Sequence, residues 1–303
     1  MEHRRLGDSD IEVSVVGLGC NNFGGRIDGA ATRRVVDAAV DAGVTFLDTA
    51  NIYGNRGGSE TLLGEILKGR RDRVVLATKF GMEMGDGVTP RGRADYVRRS
   101  IDASLQRLRT DHVDLYYLHQ PDPETPIEET LGALDDLVRA GKVRALGCSN
   151  FSAEQLADAE QAARRDGTAR FVVLQNHYNL LRREDDEEVL PLCRELGVSY
   201  IPYFPLASAL LTGKLTRGEE APEGSRLVGR EIDDATWDRV EALQRFAERE
   251  RHTLLELAVS ALVSTPGIAS VIAGATRPEQ VRANVAAAGW PIDVAALEEL
   301  AGV

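Results

Sequence analysis

The chain has 303 residues, 43% of them hydrophobic and 28% charged, the usage of an ordinary globular protein large enough to bury a core without staples. Its formal net charge of -12 excludes an extended phosphate-backbone partner such as nucleic acid, while leaving room for a local basic pocket around a small phosphate. Cys20, Cys148 and Cys193 are too scattered for a disulfide framework or a zinc site, and no stretch reaches the roughly 20 apolar residues of a membrane span.

The chain opens MEHRRLGDSD, which lacks the apolar run of a secretory signal, so a cytoplasmic location is expected. His3–Val13, with Gly7-Asp8 at its centre, reads as a small hairpin. From there β-branched or aromatic runs alternate with helical patterns. Strands are expected at Val13–Leu18, Val44–Leu47, Val74–Thr78, Val113–Leu118, Val143–Gly147, Phe171–Leu174, Val198–Pro202 and Ala269–Ile272. Several are apolar throughout, as strands buried on both faces are. Between them, Val97, Ile101, Leu105 and Leu108 form one helical face. Thr125-Pro126 supplies an N-cap and an N1 proline to the next helix, whose Ile127, Leu131, Leu134 and Val138 recur until Gly141. Ser152 with Gln155 fits a capping box.

Three segments depart from the repeat: a Gly-rich loop at Met82–Gly92, a long polar loop at Ala207–Asp233, and an extra helical segment at Ile232–Arg251. Trp237 and Trp290 read as packing residues of outer helices, and His112, His177 and His252 as structural. Eight β-then-α units without a linker predict an α/β chain forming one (β/α)8 TIM barrel over residues 1–303. The short N-terminal β-hairpin precedes it, and extra helical segments follow strand seven and lie at the C-terminus.

Parallel barrels carry their sites at the C-terminal ends of the strands. The second strand ends FLDTANIYG, delivering Asp48 and Tyr53; the third ends in Lys79, one of only four lysines; the fourth ends in His119. The fifth delivers Ser149 and Asn150, the sixth Gln175 and the seventh Tyr203. Singly, each has a local explanation: a turn-capping Asp, a loop Tyr, a solvated Lys, a loop His, a helix-capping Ser-Asn. Six successive strands sending a polar group to one rim point to a shared site.

The chemistry coheres. A phenol has an ordinary pKa near about 10, and an adjacent ammonium favours the phenolate and lowers it. Lys79 supplies that ammonium, Asp48 holds Lys79 charged and in place, and Tyr53 then donates a proton to a developing alkoxide. His119 hydrogen-bonds a substrate carbonyl. No group is poised for acyl transfer, and no metal-ligand spacing is present. Gly17-Leu18-Gly19 begins like a dinucleotide fingerprint, but Asn22 stands where the third glycine belongs and no helix opens there; a tight turn explains Gly17 equally well.

With those residues in hand, the sequence resembles the aldo-keto reductases. The likeness runs from RRLGDSDIEVSVVGLGCNNFGG to GATRPEQVRANVAAA, and its most specific part is the order and spacing of Asp48, Tyr53, Lys79 and His119. The resemblance implies NADP(H) extended across the barrel rim and hydride transfer to a small-molecule carbonyl. It implies that Gly19, Cys20 and Asn21 line the rim, with Asp48 at the nicotinamide end. Ser149, Asn150 and Gln175 would bind the carboxamide, and Tyr203 would stack on the ring. Leu206, Leu211 and Lys214 would run over the pyrophosphate, and Gly274, Thr276, Arg277, Gln280 and Asn284 would hold the adenosine end. Arg277 would favour NADP through a bidentate bond to a 2′-phosphate. Phe204 stands where a Ser is more usual, Gly274 where many relatives carry Lys, and Gln280 where many carry Arg. Tyr53, His119, Phe23 and Phe80, with the two long loops, would shape the substrate pocket. Only 19 residues follow Asn284, so an open pocket accepting several aldehydes or ketones is expected.

Two other functions use some of the same residues. A Schiff-base lyase would employ Lys79 as its nucleophile. A cofactor-sensing binding subunit would keep the fold with little turnover.

Overall fold

The computed structural model describes residues 1–220 and 226–301. Strands β1 (His3–Arg5) and β2 (Glu12–Ser14) pair antiparallel as the expected hairpin. Its turn carries Gly7 at φ 54, packed so closely on Val172 that a Cβ would stand 2.6 Å from that carbonyl oxygen.

The run Val13–Leu18, expected as one strand, is two. The chain leaves β2 at Ser14 and re-enters as β3 (Val16–Gly19). Ser14 marks the break: its hydroxyl bonds the Val16 carbonyl, and it trades hydrogen bonds with Thr45, so its N–H is taken by a side chain and not by a barrel strand.

From β3 the chain alternates: α1 (Gly29–Asp41), β4 (Phe46–Asp48), a helical region α2 (Tyr53–Ile66), β5 (Val75–Phe80), α3 (Ala94–Leu108), β6 (Val113–Leu118), α4 (Ile127–Arg139), β7 (Val143–Ser149), α5 (Ala153–Asp166), β8 (Phe171–His177), α6 (Val189–Leu196) and β9 (Ser199–Tyr203). Then come α7 (Asp234–Arg249), α8 (Leu254–Ser264), β10 (Val271–Gly274), α9 (Pro278–Ala286) and α10 (Val294–Ala301). Strands β3 to β10 close a parallel barrel in the order β10-β3-β4-β5-β6-β7-β8-β9. The (β/α)8 reading holds, with the hairpin ahead of it and α7 and α10 as the additional helices.

The local signals for α5 and α3 hold. Ser152 and Gln155 form the expected capping box, and Val97, Ile101, Leu105 and Leu108 are buried on one face of α3. At α4 the cap is Pro126 rather than Thr125: the Pro126 carbonyl accepts from Glu129, while the Thr125 hydroxyl turns to Asp122. The Ala207–Asp233 segment is less loop-like than expected, because Ala207–Thr212 is a compact run of turns, with Ser208 and Ala209 at positive φ, that buries Leu210 and Leu211. Its residues 221–225 lie outside the described residues. Trp237 packs in α7 as expected; Trp290 lies just past a helix end, stacked on His252 with ring centroids 4.0 Å apart.

Two apolar layers flank the strands. The outer one joins strands to helices through residues such as Leu18, Leu47, Phe80, Tyr116 and Leu146. The inner one fills the barrel with Phe46, Ala77, Leu115, Tyr117, Val173 and Ile201, and the hairpin's Leu6, Ile11 and Val13 plug its lower end. Two inward glycines make room for the large rings. A Cβ on Gly17 would meet the Phe46 ring at 2.8 Å, and one on Gly147 the Tyr117 ring at 2.5 Å. Gly17 is thus neither a phosphate-loop nor a turn residue. It is a mid-strand position where a neighbour's ring takes the space.

Candidate active site

The backbone ladder continues past the upper ends of the strands and fixes what stands there. Cys20 N–H donates to Asp48 O (2.8 Å), Asn51 N–H to Lys79 O (3.1 Å), His119 N–H to Phe80 O (2.8 Å) and Asn150 N–H to Gln175 O (3.1 Å). The register sets Lys79 opposite Tyr117, Ser149 opposite Gln175 and His177 opposite Tyr203. Alternation then turns Asp48, Lys79, Ser149 and Gln175 inward.

Lys79 is fully buried. Its ammonium donates to Asp48 Oδ1 and to the Thr49 carbonyl at 2.9 Å, and Gln175 Nε2 donates to Asp48 Oδ2 at 2.9 Å. Nζ lies 5.2 Å from the centre of the Tyr53 ring and 5.4 Å from that of Tyr117. Tyr53 meets His119 edge-on, centroids 5.8 Å apart. Asp48, Tyr53, Lys79 and His119 therefore come together as one group. Behind Tyr53 the chain turns through four residues with positive φ, Gly54 to Gly57, so the phenol is held at a tight left-handed corner.

The electrostatics separate the roles. Burial alone would favour a neutral Lys79 amine, but Asp48 and Tyr53 outweigh it and raise the pKa, so the group is an ammonium. That state disfavours the Schiff-base reading, which requires a free amine. Burial raises the Tyr53 phenol above its ordinary value, and Lys79 opposes the rise without cancelling it. The expected net lowering is thus corrected: the lysine's pull is present, but desolvation exceeds it. Burial and then Lys79 push His119 well below the ordinary histidine value, making it a neutral imidazole. Its buried Nδ1 has no hydrogen-bond partner among the described residues.

The remaining rim residues fall into two groups. Tyr203 donates to Asn150 Oδ1 (2.7 Å), and Asn150, at φ 61, donates to the His119 carbonyl (2.9 Å), which ties the aromatic to the tetrad. The Ser149 hydroxyl bonds the Gln175 carbonyl (2.7 Å). Cys20 is buried, Asn21 half-buried, and Gly19 faces Gly274 across the β3–β10 pair. A Cβ on Gly274 would crowd the Asn22 and Asn21 side chains at 3.1 and 3.3 Å, so this is a cradle of bare backbone. Arg277 is exposed at the head of α9. Gln280 caps that helix, accepting from Thr276 N–H (2.8 Å) and Arg277 N–H (3.2 Å). Asn284 is buried on α9, Leu206 half-buried and Lys214 exposed.

Three expected contacts do not reach the rim through their side chains. Phe80 points outward, opposite to its neighbour Lys79, and stacks on Tyr116 at 4.9 Å. Phe23 is fully buried in the same outer layer. Leu211 is spent in the core beside Trp237. The structure brings in residues that sequence reading passed over. Tyr117 lies beneath Lys79, and His177 stacks on Tyr203 with centroids 5.2 Å apart, so His177 belongs to the rim. Strand alternation from His119 and Gln175, two residues away in each case, carried both signals. Arg226 donates to Asn22 Oδ1 (3.1 Å) and covers the Phe204 ring at 5.2 Å, and no sequence pattern linked it to the site.

Comparison with known proteins decides the family. The profile of the Aldo/keto reductase family matches residues 15–302. The chain belongs to the aldo/keto reductase family. It is 36% identical to Aldo-keto reductase YhdN of Bacillus subtilis, over 97% of this chain and 90% of that protein. The NADH-specific methylglyoxal reductase of Escherichia coli is 35% identical over 93% of this chain and 92% of its own length. A probable voltage-gated potassium channel subunit beta of Arabidopsis thaliana is 34% identical over 95% of this chain and 91% of its own. As a family member the chain is an oxidoreductase of nicotinamide cofactors and small carbonyl compounds.

Proposed function

We propose that this aldo-keto reductase reduces a small aldehyde or ketone to an alcohol with NADPH, using Tyr53 as the proton donor. The observation that carries the reading is the buried Lys79 ammonium, fixed by Asp48 and the Thr49 carbonyl and facing the Tyr53 ring at 5.2 Å, with His119 on the ring's edge.

The rim fits a dinucleotide. The Gly19/Gly274 cradle admits close backbone approach, Tyr203 presents an aromatic face, and Ser149, Asn150 and Gln175 gather amide-binding groups beneath it. Arg226 and Arg277 suit phosphates. Arg277 supports NADP over NAD, since its exposed guanidinium has no acceptor among the described residues and matches a 2′-phosphate. Asn21 and Cys20 complete the β3 end of the cradle, Leu206 and Lys214 supply the segment above the pyrophosphate, and Thr276, Gln280 and Asn284 frame the adenosine.

A bound nicotinamide supplies the hydride. The chain supplies the rest. Neutral His119 donates a hydrogen bond to the carbonyl oxygen and orients it. The Tyr53 phenol, kept protonated by burial, gives its proton to that oxygen as negative charge develops. Lys79 stabilises the phenolate left behind, and Asp48 keeps Lys79 charged.

The likeness to a channel beta subunit favours a second reading, cofactor binding with little turnover. Oxidation of NADPH and NADH against a panel of aldehydes and ketones separates the two. Turnover of at least one carbonyl is expected, with NADPH preferred and the preference lost in Arg277→Ala. Tight NADPH binding with no turnover of any carbonyl would support the second reading, and unchanged NADPH affinity in Arg277→Ala would remove Arg277 as the phosphate partner.

A further inference from the structure

We infer that Glu60 is a positioning residue, whose buried carboxylate fixes the Tyr53 corner relative to the strand that carries Lys79. This rests on the reading of Tyr53 as proton donor and adds a residue to it. The two groups come from different elements. Tyr53 opens α2, whereas Lys79 stands on β5, so something must set one against the other.

Glu60 follows the left-handed corner, three residues past Gly57, and is completely buried. One carboxylate oxygen accepts from the Thr78 hydroxyl at 2.6 Å, and Thr78 is the residue before Lys79. The other accepts from Arg107 Nε at 2.6 Å. Arg107 is itself wedged between two glycines of α2. A Cβ on Gly57, in the left-handed corner behind Tyr53, would stand 2.6 Å from Arg107 Cδ, and Gly64 leaves the space taken by the Arg107 carbonyl. Gly57, Glu60 and Gly64 thus fall on one side of the segment, and together they seat the α3 arginine. Arg107 also donates to Ser104 (3.2 Å), which anchors it on its own helix.

A buried carboxylate is costly unless every oxygen is satisfied, and here both are, one by the strand and one by the corner's support. The neighbouring Ser59 repeats the arrangement on the other side: its hydroxyl bonds Thr49 Oγ1 (2.8 Å) and donates to the Cys20 carbonyl (2.9 Å). Helix α2 is therefore pinned to β3, β4 and β5 by two consecutive polar side chains, of which Glu60 alone reaches the Lys79 strand. The titratable groups facing Glu60 are Arg107 and Tyr116. None of these touches the substrate side of the barrel, so Glu60 acts through Tyr53 and Lys79.

The test uses Thr78→Val, Thr78→Ser, Glu60→Gln and Tyr53→Phe, each assayed for kcat, KM, NADPH affinity and the pH profile of kcat. Thr78→Val keeps the side-chain shape and loses the hydroxyl. It is expected to lower kcat about tenfold, within the range that small misplacements of reacting groups produce, with KM and NADPH affinity changed by less than about threefold. Its alkaline limb should move to higher pH, because a displaced Lys79 lowers the Tyr53 pKa less. Thr78→Ser should recover most of the rate, and Glu60→Gln should follow Thr78→Val. A folded Thr78→Val with wild-type kcat and an unshifted pH profile would overturn the inference, as would losses that only mirror the unfolded fraction. If Tyr53→Phe kept full activity, the proton-donor reading would fail and the inference with it; if Tyr53→Phe were inactive while the Thr78 variants were indifferent, only the inference would fail.

Discussion

At the scale of single residues, the site depends on a contest between burial and charge. Desolvation keeps Tyr53 protonated and Lys79 moderates that effect, while Asp48 and Tyr53 together keep Lys79 charged against its own burial. His119 loses on both counts, since burial and the lysine each disfavour its cation. A histidine whose pKa is lowered stays neutral at every pH above that lowered value. His119 is therefore expected to show no protonation as pH falls through about 6.5, the ordinary value. Imidazole nitrogen shifts by NMR would check this, and a titration centred near that value would contradict it. Removing the lysine's charge with Lys79→Met should leave a weaker acid at Tyr53 and cost about 100-fold in kcat. The tetrad was legible because its four residues end or closely follow three successive strands. The shift in balance at Tyr53 was not, because burial of a side chain five residues beyond the end of its strand depends on the left-handed Gly54–Gly57 corner, which no local propensity announces.

At the scale of elements, alternation decides which strand residues serve the site. Lys79 points in and Phe80 points out, and the same parity adds Tyr117 and His177 to the inner set. The helices that surround the barrel were readable from periodicity and caps, but the boundary between hairpin and barrel was hidden in a continuous β-branched run and set by the Ser14–Thr45 exchange. The lower half of the barrel is joined by Asp114 on β6. Its carboxylate accepts from Leu76 N–H (2.8 Å), Arg71 (2.7 Å) and Arg144 (2.8 Å), bridging β5, β6 and β7. Burial would raise its pKa, but Arg71, the Leu76 amide and Arg144 outweigh that and lower it. The stability it contributes is thus present above the ordinary Asp value of about 3.9 and is lost as pH falls through the lower folded value. Asp114→Asn is expected to cost about 3 kcal/mol in urea unfolding at neutral pH, leaving Arg71 without its charge partner. The variant should also lose less stability than the wild type on acidification below about pH 4. Equal acid sensitivity in the two proteins would contradict the assignment.

At the scale of the whole molecule, closure of eight strands places one end of every strand around a common rim, and the N-terminal hairpin seals the other end. Leu6, Ile11 and Val13 complete the interior layer with Phe46, Leu115 and Tyr117. Arg4 bonds the carbonyls of Val263 (2.7 Å) and Ile268 (2.8 Å), and Gly7 N–H bonds Ser199 (2.8 Å), which fastens the plug to the C-terminal part of the chain. Leu6→Ala should cost about 2–5 kcal/mol and lower the Tm, with kcat unchanged at temperatures where the variant is folded; a loss of kcat there would show that the plug shapes the rim. The net charge of -12 disfavours an extended phosphate backbone as a partner, while Arg226 and Arg277 give the rim local positive charge. No helix among the described residues is long and apolar enough to cross a membrane. The most direct test of the proposal that Tyr53 donates the proton is single-turnover oxidation of bound NADPH by an aldehyde that the wild type reduces, compared between wild type and Tyr53→Phe. The expected result is unchanged NADPH affinity and a rate lower by about 100- to 10,000-fold in the variant; equal rates in the two proteins would contradict it.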